Sequence, residues 1–159
     1  MHPNVDRVES AARAAGLEIT VERFPEGTRT ADDAARAVGC EVGQIVKSLV
    51  FMADGGPVLA LVSGANRVDL TLLGAALDAS EARRATGDEA RDATGFAIGG
   101  VPPFGHGEPM TVLIDRDLLS HDQLWAAAGL PDAVFRITPD ELVRASGGRV
   151  VDLADDGVA

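Results

Sequence analysis

Residues 45–63, "IVKSLVFMADGGPVLALVS", hold two apolar runs separated by turn-forming residues. Strand-length apolar runs joined by Asp-Gly are a strong short-range signal of a β-hairpin, so the chain must build a sheet around this segment. Side chains alternate along a strand, which puts Lys47 on one face with Ile45, Leu49 and Phe51, and Val46, Ser48, Val50 and Met52 on the other. Neither face is simply polar. Lys47 is also the sole lysine in a chain with thirteen arginines. Three readings of it compete: a stem snorkelling from a strand edge to water, a fixed cation for an anionic ligand, or a desolvated amine acting as nucleophile.

The rest of the chain surrounds the hairpin with mixed elements. Val5, Val8, Ala12 and Ala15 fall at helical spacing before Gly16, and "LEITV" (17–21) then alternates like a strand. "TADDAARAVG" predicts a short helix capped by Thr30, with the Asp33 carboxylate placed to reach back, and ending at Gly39. Thr86 with Glu89, and Thr138 with Pro139 and Glu141, open two more capped helices that end in glycine. "FAIGG", "MTVLID", "AVFRIT" and "RVVDLA" read as strands, while "SHDQLWAAAGL" suits either helix or strand. Without strict βαβ alternation, linker or repeat, the expectation over residues 1–159 is a single α+β domain with a mixed sheet and helices packed around it.

Composition narrows the function. A net charge of −11 argues against general nucleic-acid binding, because tracking a phosphate backbone needs dense Lys and Arg; no DNA partner is expected, and any nucleic-acid contact must be local. No stretch reaches the apolar length of a membrane span and the first residues lack a signal-peptide pattern, so a cytoplasmic protein without membrane partner is expected. One cysteine and three separated histidines, without an H-E-x-x-H motif, offer no convincing metal-ligand set.

Two loops could work with Lys47. In "AIGGVPPFGH" (97–106), Gly99 and Gly100 leave their amides open to a ligand while Pro102 and Pro103 stiffen the backbone; a structural turn is the alternative. "SGANRVDL" (63–70) brings Asn66, Arg67 and Asp69 into a loop after the second hairpin strand, as polar contacts or as a solvated connection. His106 is the only histidine near either motif, and nothing in the sequence supplies it with an orienting partner.

Taken in order, "TADDAARAVGCEVGQIVKSLVF", "LALVSGANRVDL", "TGFAIGGVPPFGH" and "TVLIDRDLL" resemble the YbaK/EbsC family of free-standing aminoacyl-tRNA deacylases, relatives of the editing domain inserted in prolyl-tRNA synthetases. The resemblance implies a barrel-like curved sheet with surrounding helices. It implies hydrolysis of the ester between a wrong amino acid and the 3′-terminal ribose of a tRNA, most often the proline tRNA, without metal or organic cofactor. It places the family's editing lysine at Lys47 and its Gly-x-x-x-Pro loop at Gly99 to Pro103, so Lys47, Gly99 and Gly100 are the expected catalytic set. Ser48, Asn66, Arg67, Pro102, Pro103 and His106 are the expected substrate contacts. The partners implied are the acceptor end of a mischarged tRNA and an aminoacyl-tRNA synthetase. "VPP" stands where relatives carry Ser or Thr before the second proline, which leaves the amino acid removed open. A non-catalytic module that binds the aminoacyl group beside a synthetase is the alternative, and Schiff-base chemistry at Lys47 ranks below both.

Overall fold

The computed structural model describes residues 2–24, 30–107 and 109–155. The hairpin is its centre. Strands β2 (Val46–Ala53) and β3 (Gly56–Ser63) pair antiparallel over their full length, with Lys47 opposite Val62, and turn at Asp54 and Gly55, both at positive φ. Strand β4 (Ala82–Arg84) covers the outer edge of β2 only at Phe51–Ala53. On the other side β3 runs parallel to β5 (Thr111–Asp115), which runs parallel to β8 (Arg149–Val151).

A second sheet holds β1 (Val21–Arg23), β7 (Ala133–Ile137) and β6 (Leu124–Ala127) in that spatial order, all antiparallel. An isolated bridge between Ile45 and Trp125 links it to the hairpin, so the expected curved sheet is two sheets and does not close into a barrel. The ambiguous alanine-rich segment is therefore a strand: pairing of β6 with β7 outweighs the helix preference of alanine.

Because β3 is flanked on both edges and packed on both faces, its residues 58–63 are all buried. Leu59 and Leu61 join the main core with Val5 and Val8 of helix α1 (Pro3–Ala14), Phe96, Phe104, Phe135 and Ile137. Val58, Ala60 and Val62 point to a second core with Phe51, Leu113, Leu153 and Leu73 of helix α3 (Leu70–Leu77). A smaller cluster joins Ile45 to Ala34 and Ala35 of helix α2 (Ala31–Val38).

The helix caps follow the sequence with one change. Helices α4 (Gly87–Thr94) and α5 (Pro139–Ser146) open with the Thr86/Glu89 and Thr138/Glu141 capping boxes and close on Gly95 and Gly147 in the left-handed region. At α2 the Thr30 hydroxyl accepts from the Asp33 amide, but the Asp33 carboxylate turns to Arg36 at 2.7 Å instead of reaching back. Two expected strands differ. At 17–21, Gly16 takes a φ of 80° and the Leu17 amide donates to the Ala12 carbonyl, closing α1, so the strand starts only at Val21. At 96–100 the Gly100 amide donates to the Ala97 carbonyl, so "FAIGG" is a turn.

Candidate functional site

A cavity of about 270 Å³ lies where the two sheets meet. One wall is residues 45–50 of the hairpin, ahead of the pairing with β4; the facing wall is Trp125, Ala126, Ala127 and Val134. Thr30, Ala31 and Ala34 at the start of α2, and Ile98, Gly99 and Val101 of the glycine loop, border it from other sides. Most of these side chains are small or apolar. The only charged residues among those described in the lining are Lys47 and Arg84.

Lys47 is partly buried, and its ammonium donates to the backbone carbonyl of Asn66 in the loop after β3. An ammonium has three donors, so two remain for a ligand. Burial holds the Lys47 pKa below the ordinary lysine range; the positive charges of Arg84 and Arg67 push the same way, and Asp115 opposes them. Arg84 reaches the site from β4, opposite Phe51, with its guanidinium 5.7 Å from the centre of the Phe51 ring.

Ser48 lines the cavity too. Its hydroxyl is buried and has no hydrogen-bond partner among the described residues, a costly arrangement unless something else in the cavity supplies one. Gly99 stands at the rim with a φ of 91°, a conformation that side-chain-bearing residues rarely adopt.

The other expected site residues lie behind this surface. Gly100 is buried against the turn at 129–130: a Cβ there would stand 2.9 Å from the Gly129 carbonyl oxygen and 3.0 Å from the Leu130 Cα. Pro102 and Pro103 are buried under the loop, and His106 Nε2 lies 2.8 Å from the Pro102 carbonyl oxygen. His106 is thus a partly buried brace of the loop; burial lowers its pKa, against the opposing effect of that carbonyl. Asn66 offers its carbonyl to Lys47 but turns its side chain the other way, and Arg67 is exposed beside it.

The structure thus brings Lys47, Ser48 and Gly99 together at the cavity and adds Arg84 and Trp125, which the sequence reading did not single out. Arg84 sits in a three-residue strand too short to show a period; its only signal was the Arg83-Arg84 pair. The lining contains no carboxylate or imidazole among the described residues, so its polar chemistry is cationic and hydroxylic.

The family model for the aminoacyl-tRNA editing domain matches residues 25–145. This chain belongs to the aminoacyl-tRNA editing domain family. An uncharacterized Bacillus subtilis protein, YwhH, is 29% identical over 148 residues, covering 87% of this chain and 89% of that one. The proline–tRNA ligase of Streptococcus thermophilus is 34% identical over 139 residues, 85% of this chain but 22% of the ligase, so this chain spans about a fifth of that relative. A solved structure proposed to be a trans-editing enzyme for prolyl tRNA synthetase is 48% identical with a TM-score of 0.92, covering 98% of this chain and 99% of that one. The family match covers the residues that build the cavity, and the solved structure shares the whole architecture.

Proposed function

We propose that this editing-domain protein is a trans-acting deacylase, which hydrolyses the ester joining a wrong amino acid to the 3′-terminal ribose of a tRNA, with proline tRNA as the carrier. The observation that carries the reading is the cavity: an apolar chamber whose charged lining residues are cationic and whose one tethered ammonium has donors to spare. Its mostly apolar lining suits the side chain of an aminoacyl group. The likeness to a free-standing structure proposed to edit for prolyl tRNA synthetase supports the tRNA assignment.

In this mechanism a water oxygen attacks the ester carbonyl carbon and the bond from that carbon to the ribose 3′ oxygen breaks. The water's proton ends on the ribose oxygen, leaving a free amino acid and an intact tRNA end. Lys47 stabilises the negative charge that grows on the carbonyl oxygen or holds the terminal phosphate, and being fixed beforehand it need not reorganise during the step. The Ser48 hydroxyl gives the aminoacyl group a hydrogen bond, and the bare Gly99 backbone lets the ester come close. With no carboxylate or imidazole in the described lining, the proton is handled by the water and the substrate's own hydroxyl. Such an enzyme works in the cytoplasm, where it meets the acceptor end of the tRNA and the synthetase that releases it.

The test is a panel of proline tRNA charged in turn with alanine, cysteine, serine and proline, each mixed with a small amount of protein. Many turnovers on at least one mischarged species, with prolyl-tRNA spared, are expected. Protection of the ester, or release no greater than the protein present, would instead identify a binding module.

A further inference from the structure

Asp115 ends β5 and is 1% exposed, yet it lies outside the cavity lining. It accepts three N–H bonds: from the Ser63 amide at 3.1 Å, the Asn66 side-chain amide at 2.8 Å and the Asp117 amide at 3.0 Å. Ser63 is the last residue of β3 and Asn66 lies in the loop that follows it, which supplies the carbonyl to which Lys47 donates. Asp117 adds a second bond to the Asn66 side chain at 2.8 Å, and the Ser63 hydroxyl donates to the Gly43 carbonyl at 2.8 Å just before β2. The loop between β3 and α3 is therefore tied to a buried carboxylate where it leaves the strand and again at Asn66.

We infer that Asp115 is a positioning residue for Lys47: by clamping Ser63 and Asn66 it fixes the Asn66 carbonyl, and through that carbonyl it sets where the ammonium stands in the cavity. A buried carboxylate that accepts three N–H bonds makes a rigid support, whereas the same loop held only by water would leave the long lysine stem free to wander. The clamp also brings a negative charge toward a site where Arg84 of β4 and Arg67 of the loop both oppose the charged amine. Asp117 is the other carboxylate, one step removed through Asn66. This inference rests on Lys47 as the cation of the proposed reaction, but its structural half can be measured without any tRNA.

The sole lysine gives a single labelled side-chain resonance, so its titration in the full-length protein can be followed by NMR without assignment. In Asp115→Asn the Lys47 midpoint should fall, because the charge that favours the ammonium is gone. Turnover at neutral pH should drop about tenfold or more, with KM much less affected. Asn66→Ala keeps the backbone carbonyl but cuts the tie to Asp115 and does not disturb the core. It should leave a folded protein with a moderately lowered melting temperature, shift and broaden the lysine resonance, and lower kcat. A folded Asp115→Asn protein with unaltered lysine titration and kcat would overturn the inference. Should Asp115→Asn fail to fold, an unaltered resonance and kcat in Asn66→Ala would do the same. If the wild-type protein deacylates nothing, the proposed function fails while the resonance still decides the clamp.

Discussion

At the scale of single residues, the tether on Lys47 makes its charge a positional device. Replacing it by Ala should reduce deacylation by about 100-fold or more in a protein whose circular dichroism is unchanged, as loss of a preorganised donor does. Arg should restore little, because its planar fork does not fit the place of a compact ammonium. Since the pKa of Lys47 is lowered, first by burial and then by Arg84, activity should fall as pH rises through a value below the ordinary lysine range. Stability runs the other way. Between the folded and unfolded pKa values the unfolded chain binds more protons at this site, so stability rises with pH across the window where activity is lost. Parallel pH series of turnover and urea midpoint check both signs. Ser48 offers a second separation: Ser48→Ala removes a buried hydroxyl without a described partner, so it should raise stability by up to about 1 kcal/mol while lowering turnover. A variant that loses both would place the hydroxyl in the folded network instead of the substrate site.

Among the elements, the glycine loop divides its labour between neighbours. Gly99 meets the cavity, whereas Gly100 lets the loop lie against the backbone at 129–130 and so sets the distance from the loop to Pro131 and the β6 wall. Gly100→Val should cost about 1–3 kcal/mol in urea unfolding by overpacking that contact, and its loss of activity should track the displaced wall. Full stability in this variant would mean that the turn at 129–130 yields easily. The sequence disclosed elements whose signals are local. The caps at Thr86 and Thr138 and the hairpin at 45–63 were legible because each needs only a few neighbouring residues. It did not disclose that the turn at 96–100 replaces a strand, because apolar Phe96 and Ile98 alternate like strand residues: one is buried in the main core and the other is 52% exposed at the rim. The buried clamp was hidden for a different reason. Asp115 looks like the polar end of an apolar strand, and its meaning depends on Asn66, which lies 49 residues away in the chain.

For the whole molecule, charge limits what the protein can grip. At −11 the surface repels an extended phosphate backbone, and among the described residues the cations near the cavity are Lys47, Arg84 and Arg67. Each phosphate neutralised in a duplex steepens the fall of log affinity with log salt by about 0.9, so a salt series of deacylation should give a slope equivalent to about one to three phosphates. An acceptor-stem mimic should react nearly as fast as full tRNA. A steep slope or an inert mimic would reveal a larger tRNA interface.

The parallel pairing of β3 with β5, and of β5 with β8, has a consequence in time. The hairpin that carries Lys47 can close from neighbouring residues, but its inner edge waits for strands that begin at residues 111 and 149. Pairings of such sequence separation must meet the entropy of closing long loops before they are rewarded, which puts folding in the slower range of small domains. During synthesis the lysine and the loop after β3 leave the ribosome before Asp115, which clamps that loop, and before the facing wall of the cavity in β6 and β7. A nascent chain therefore carries the charge before it has a site in which to use it.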